Sequence, residues 1–400
     1  MSNCEVRISF IKRIKDRLDN HEYSTGEELQ KDVDAAREDG SQEDIFAIQE
    51  FLIDEVCLLH EKEKDAGNAR LFSENLNIKE IHKQLQDGKR AFNIYSFCEA
   101  GYEYFLVGDI HSDTISLTRI LGISDFFGSV VEKRKVRLLF LGDYVDRGKA
   151  HIKTLEYILL LKFLFPEQVY LLKGNHDDGV LAGDEIKLCI RKPEQEPDGD
   201  YFLLYLDNLL KNHQRRIPIL KAYLRFFDSL CNVAFVINQG VSLLAVHGGI
   251  PRPRREAERY YSYIQSISDL TNMGIIDSIN KDICNNMRWS DPCEEEADLR
   301  ESSGRFRFTL EHFEEFQRSI NFDFLIRGHE AEMEGYKKFF GGRLVTIFSS
   351  GAVLEDQANI NHETAYEEVA AKIMKFSQKG ELALLDLNGS NKDKIEEIVE

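Results

Sequence analysis

In LLFLGDYVDRGKA, residues 138–150, an apolar run ends in Asp143, Asp146 and Arg147, two carboxylates and a guanidinium within five positions. Taken alone, a solvated turn with an ion pair worth ~0–1 kcal/mol accounts for such a cluster. Four further segments repeat the design. YEYFLVGDIH, QVYLLKGNHDD, VSLLAVHGGI and FDFLIRGHE each pass from a strand-length apolar run into Asp, Asn or His. In order they present Asp109, His111, Asp143, Asn175, His247 and His329. Carboxylate oxygen, amide oxygen and imidazole nitrogen suit borderline divalent ions such as Mn, Fe or Zn, whereas an all-oxygen set would favour Mg or Ca. Six such groups suffice for two metals sharing one carboxylate, and ions ~3.5–4 Å apart can hold a bridging hydroxide and clamp a phosphoryl group for in-line attack. The expected chemistry is phosphoester hydrolysis.

The neighbouring residues match the remaining tasks. Arg147 offers a forked guanidinium for phosphate oxygens, Asn175 an amide donor, and His176 an imidazole able to protonate a leaving alkoxide, with Asp146 to orient it. An apolar run without alternation is a strand buried on both faces, and residues just past its carboxyl end lie at the sheet edge where ligands bind. Five strands thus deliver polar groups to one rim. Helical patterns separate the runs from about residue 100 onward, the rhythm of an α/β, layered sheet domain. Asp113 is placed to cap a helix beginning at Thr114, and HIKTLEYILLLKFLF reads as a helix stopped by Pro166. Between His176 and His247 lie a surface loop, RKPEQEPDGDY, and two amphipathic helices.

Residues 1–78 read as an acidic helical extension, 79–390 as the catalytic domain and 391–400 as an acidic tail. In the extension Ile11, Ile14 and Leu18 share one helix face, and Ile45, Ile48, Leu52, Val56 and Leu59 another, with the polar break NHEYSTGEE between them. Its apolar stripes favour a structural cover for the catalytic domain, with docking of a regulatory partner as the second reading. The net charge of −19 repels nucleic acid and anionic membrane. No apolar run approaches the ~20 residues of a membrane span, and the seven cysteines form no CxxC pair, which points to a cytoplasmic protein with reduced thiols.

The motifs GDIH, GDYVDRG, GNHD, HGGI, WSDP and RGHE, in this order, resemble the phosphoprotein phosphatase family of metal-dependent serine/threonine phosphatases, within the calcineurin-like metallophosphoesterases, over roughly residues 80–350. The resemblance implies a central β-sandwich flanked by helices. It places Asp109, His111 and Asp143 on one metal and Asp143, Asn175, His247 and His329 on the other, with Mn the expected metal in vitro and Fe or Zn as options. It further implies His176 and Asp146 as the acid pair, Arg147 and Asn175 on the substrate phosphate, and a phosphoprotein as substrate. The chain departs from the family pattern in four places. Ser112 replaces a glycine after His111, Asp177 stands where Glu is usual, and Ser302 falls where a second phosphate-binding arginine is expected, leaving Arg305 as the nearest candidate. The loop after Ser349 lacks an Asn-Tyr segment. Hydrolysis of dinucleoside polyphosphates or other small phosphoesters, and a catalytically dead scaffold, are the competing readings.

Overall fold

The computed structural model describes residues 3–37, 40–64, 87–91, 93–254, 259–264, 270, 283–300, 305–353, 361–389 and 396–397. Helices α1 (Asn3–Asp19), α2 (Gly26–Ala35) and α3 (Gln42–Glu63) come first. Strands β1 (Arg90–Ala91), β2 (Ile94–Phe97) and β3 (Glu103–Val107) follow, then α4 (Thr114–Ile123), α5 (Phe126–Val131), β4 (Val136–Phe140), α6 (His151–Leu164) and β5 (Val169–Leu171). Next come β6 (Gly179–Ala182), β7 (Glu185–Leu188), α7 (Phe202–Leu209), α8 (Arg216–Ser229), β8 (Val233–Asn238) and β9 (Val241–Val246). The last part holds α9 (Ile283–Trp289), β10 (Asp291–Pro292), β11 (Arg307–Phe308), α10 (Leu310–Ile320), β12 (Phe324–Arg327), β13 (Tyr336–Phe339), β14 (Leu344–Ile347), β15 (Lys372–Phe376), β16 (Leu382–Asp386) and β17 (Glu396–Glu397).

Two sheets form the centre, one in the order β1-β2-β8-β9-β12-β14-β13 and the other β17-β16-β15-β3-β4-β5. Tyr95, Val236, Leu243, Ile326 and Val345 from the first meet Tyr104, Leu106, Leu139, Met374 and Leu384 from the second in one buried apolar layer. The outer face of the second sheet carries Phe105, Val107, Leu138 and Phe140 against helices. Successive residues of β3 therefore alternate between two buried faces, which is why Tyr104 to Val107 follow Glu103 without a charged position. The other sheet is covered by α9 and α10 through Met287, Phe313 and Phe316. The result is a β-sandwich with a helical layer on each side.

The N-terminal helices belong to the helical layer over β3–β5. Ile11 and Ile14 of α1, Leu29 and Val33 of α2, and Leu52, Ile53 and Val56 of α3 are buried in one cluster with Leu155, Leu159 and Phe226 of α6 and α8. At ~25 cal/mol per Å², burial of one such side chain is worth roughly 1.5–3 kcal/mol. Polar contacts fix the register: Gln49 Nε2 donates to the Ile152 carbonyl (2.9 Å), and Arg215 pairs with Glu50 (2.6 Å). The polar break is shorter than the sequence suggests, because Thr25 accepts from the Glu28 N–H and starts α2 within it. Asp113 caps α4 through the Ser116 N–H, and α6 ends at Leu164, before Pro166. The boundary expected at residue 78 and the side chains of the 391–400 tail lie outside the described residues, although Glu396–Glu397 pair with β16.

Candidate active site

Strands β3, β4 and β5 are parallel neighbours in one sheet, and β9 and β12 are parallel neighbours in the other. Their carboxyl ends converge. The turns after β4 and β5 approach so closely that a Cβ at Gly174 would collide with the Asp143 carboxylate. A Cβ at Gly328 would likewise strike Asp109. Glycine is required at both points by contact between backbone and ligand-type side chains. Asp177, the one-carbon-shorter substitute for Glu, is fully buried and accepts the N–H groups of Asp143 (2.7 Å), Tyr144 (2.9 Å) and Gly174 (2.8 Å), tying these two turns together.

The two central carboxylates are aimed by backbone donors. Asp109 Oδ1 accepts the His329 N–H (2.9 Å), and Asp143 Oδ1 accepts the His176 N–H (2.9 Å). Their Oδ2 atoms face inward. His111 Nδ1 lies 2.9 Å from the Val145 carbonyl and must donate to it, so the Nε2 lone pair points at Asp109 Oδ2 (3.6 Å) and Asp143 Oδ2 (3.7 Å). His247 Nδ1 likewise faces the Leu141 carbonyl (3.1 Å), turning Nε2 toward Asn175 Oδ1 (2.8 Å) and Asp143 Oδ2 (3.4 Å). His329 Nδ1 is 2.8 Å from the same Asn175 oxygen and 3.2 Å from His247 Nε2. Asp109 Oδ2 is buried without a hydrogen-bond partner.

Buried carboxylate, amide and imidazole atoms crowded together, with Asp109 Oδ2 left unbonded, carry a desolvation cost that a cation relieves. The residues present therefore fit the divalent metals the family calls for, with Asp143 Oδ2 lying between the His111 and His247 sides. Burial lowers His111 to about 4, so its ring is neutral and available as a ligand. Burial alone would raise Asp143, but the imidazoles of His247 and His176 hold its carboxyl well below the usual range. The described residues contain two groups close enough to hold an ion, His111–Asp143–His176 and Asp143–His247–His329, and the first includes His176.

His176 is also paired with Asp146: Nδ1 lies 2.8 Å from Asp146 Oδ2, and Asp146 Oδ1 accepts the Phe202 N–H (2.7 Å). Burial opposes the charged ring, yet Asp143 and Asp146 outweigh it and raise His176 to about 8. Arg147 Nη1 donates to Glu196 (2.6 Å) and Tyr201 OH (3.2 Å), while its Nε and Nη2 edge has no partner among the described residues. His111, Asp143, Asp146, Arg147 and His329 all have positive φ, between 46° and 75°. Such conformations cost ~1–3 kcal/mol each and persist only where surrounding structure enforces them. Ser112 is a sixth case, at 59°, held by an Oγ contact of 2.6 Å to His151 Nδ1.

Most of these line one cavity of about 500 Å³, with His247 and Asp146 behind its wall and not part of it. Its wall includes Asp109, His111, Asp143, Arg147, Asn175, His176, His329 and Arg305. Arg305 is committed elsewhere, bonding Asp291 through Nε and lying 3.3 Å from Glu330 through Nη2. Ser302 lies outside the described residues. Three wall or support residues were not foreseen. Arg191 lines the cavity, Glu196 holds Arg147, and Tyr366 lies against His111 (centroids 5.5 Å) and Phe348 (4.7 Å). The only sequence sign of the first is a basic pair, Arg191-Lys192, opening an otherwise acidic loop. Tyr366 comes from the loop noted for lacking an Asn-Tyr segment and supplies an aromatic wall from farther along it.

The calcineurin-like phosphoesterase family model matches residues 104–333, more than half of the chain. A probable serine/threonine-protein phosphatase of Encephalitozoon cuniculi is 30% identical over 259 residues, covering 63% of this chain and 48% of that protein. A serine/threonine-protein phosphatase of Caenorhabditis elegans is 25% identical over 283 residues, covering 70% and 54%. The chain thus spans about half the length of these curated relatives. In fold it is similar to a protein serine/threonine phosphatase from Saccharomyces cerevisiae, with a TM-score of 0.51, 17% identity and coverage of 88% of this chain and 92% of the other. A β-sandwich whose strand ends gather carboxylates, an amide and imidazoles, matched by this family model, identifies the chain as a member of the calcineurin-like phosphoesterase family.

Proposed function

We propose that this protein removes phosphoryl groups from phosphoserine and phosphothreonine in proteins, using two divalent cations held by Asp109, His111, Asp143, Asn175, His247 and His329. The observation that carries the reading is the convergence of carboxylate, amide and imidazole groups on Asp143 Oδ2, with Asp109 Oδ2 buried and unbonded, beside the cavity that Arg147 lines with an edge that has no partner among the described residues. When bound, the cations supply Lewis acidity and an activated water. The chain's own residues then have separable tasks. Arg147 offers Nε and Nη2 to two phosphate oxygens while Glu196 and Tyr201 fix its other edge. His176, oriented by Asp146, passes a proton from Nε2 to the leaving serine or threonine oxygen. Asn175 joins the phosphate from the other side of its amide. The names of the curated relatives support a protein substrate. That no helix among the described residues is long and apolar enough to cross a membrane is compatible with action in the cytoplasm.

Parallel assays of a phosphoserine peptide and diadenosine tetraphosphate, each with Mn, test the proposal. Turnover of the peptide is the expected result. Turnover confined to the nucleotide would move the activity to small phosphoesters, and no turnover with an empty site under added Mn would favour a scaffold.

A further inference from the structure

A phosphoryl group in transfer spreads negative charge over three equatorial oxygens, and a single arginine edge satisfies two of them. The position where a second arginine is expected holds Ser302, and its neighbour Arg305, though it also lines the cavity, turns its Nε–Nη2 edge to carboxylates: Nε bonds Asp291 and Nη2 approaches Glu330 at 3.3 Å. Asp291 is at the same time the partner of the buried Arg327 guanidinium (2.8 Å). Swinging Arg305 toward a phosphate would break these charge-assisted contacts.

Arg191 is placed differently. It lines the same cavity as Arg147, Asn175 and His176. No hydrogen bond or ion pair engages it among the described residues. The loop that carries it is held by contacts that follow Arg191. Ile190 also forms cavity wall, and Lys192 pairs with Asp198 (3.2 Å). Farther along, the Asp200 carbonyl accepts the Arg147 N–H (2.7 Å), the Gly199 carbonyl lies 2.9 Å from His151 Nε2, and Glu196 holds the Arg147 side chain. The one loop therefore fixes the first phosphate-binding arginine and adds to the cavity wall a second arginine that is unpaired among the described residues.

We propose that Arg191, rather than Arg305, is the second arginine that contacts the substrate phosphoryl group together with Arg147. The inference rests on the phosphatase reading above and adds a substrate-contacting residue to it. A charge-assisted hydrogen bond to an anion corresponds to roughly a ten- to hundredfold effect on affinity. Arg191 is exposed and has no partner among the described residues, so it can be replaced without disturbing the fold.

The test titrates inorganic phosphate into the Mn-loaded full chain by calorimetry, alongside kcat/KM for a phosphoserine peptide and metal content. Arg191→Gln is expected to weaken phosphate binding and lower kcat/KM by about tenfold or more with metal content unchanged, and Arg191→Lys to recover part of both. Arg305→Gln is expected to change phosphate affinity by less than about threefold. Wild-type phosphate affinity in Arg191→Gln would overturn the assignment, as would loss confined to Arg305→Gln. The wild-type arm separates the two levels of argument: if unmodified protein neither binds phosphate nor hydrolyses the peptide, the phosphatase reading itself fails. If it does both and Arg191→Gln matches it, only the assignment of Arg191 fails.

Discussion

Lys162 offers the sharpest test of whether the N-terminal helices are part of the same folded core as the sandwich. Its side chain is 0% exposed, and its ammonium is held by Glu63, at the end of α3, and by the carbonyls of Pro166 (3.1 Å) and Val169 (2.9 Å). Glu63 also accepts the Tyr95 hydroxyl (2.5 Å), so one carboxylate joins the N-terminal layer to both α6 and strand β2. Glu63→Leu removes the only anion bonded to this buried cation among the described residues. Breaking such a pair from one side costs about 3–5 kcal/mol, and the Tyr95 phenol loses an acceptor, worth a further ~1–3 kcal/mol. Lys162→Met removes the cation but leaves Glu63 with Tyr95 as its donor and should cost less. Because an apolar pair of similar volume is often tolerated where a half-pair is not, Glu63→Leu/Lys162→Met should be more stable than Glu63→Leu alone. Urea unfolding of the four proteins gives the cycle. A Glu63→Leu protein within about 1 kcal/mol of wild type, or a double variant showing simple additivity, would refute the buried link between α3 and the sandwich.

Three other perturbations separate roles within the molecule. His176→Ala should lower kcat by ~100- to 10,000-fold and leave metal content intact; loss of metal would make His176 a ligand, as its proximity to His111 and Asp143 allows. Ser112→Ala keeps the positive φ and strips His151 of its hydroxyl partner, costing about 1–3 kcal/mol, whereas Ser112→Gly relieves the backbone and should be the milder change. Urea midpoints rank the two, and a glycine variant less stable than the alanine variant contradicts the strain argument. His60 is held well below its ordinary value by burial and by nearby Arg90 and Lys162, so the unfolded chain takes up a proton near pH 6.5 that the folded chain refuses. Its stabilisation is complete above about pH 6.5 and falls as pH drops toward 5, by up to ~1.4 kcal/mol per unit. His60→Leu should therefore lose less stability than wild type between pH 7.5 and 5.5, and an equal loss would remove His60 as the cause.

The strand-end residues were legible because the signal is local. Runs such as Tyr104 to Val107 and Leu138 to Phe140 are apolar at every position only if both faces are buried, and the polar residue after each must then sit at the rim. Asp113 and Thr25 cap helices through bonds to residues three positions on, within reach of a reading by spacing, although α2 itself was hidden in a segment taken as a break. Arg191, Glu196 and Tyr366 could not be found this way. Each reaches the site through the path of a long loop, and beyond the basic pair Arg191-Lys192 nothing in the immediate neighbours distinguishes them from solvated residues. Arg305 shows the converse: proximity in sequence to the expected arginine located a guanidinium, but its commitment to Asp291 depends on tertiary contacts. The apolar stripes of α1 and α3 announced burial without naming a partner, and α6 and α8 supply it.

The account depends above all on Asp143 serving two cations at once. Metal content per chain, measured on protein dialysed against Mn and then freed of loose ions, tests this together with turnover of a phosphoserine peptide. Two equivalents in wild type are expected, with Asp143→Asn losing both and at least ~100-fold of its activity. Retention of two equivalents in Asp143→Asn, or undiminished turnover by metal-free wild type, would contradict it.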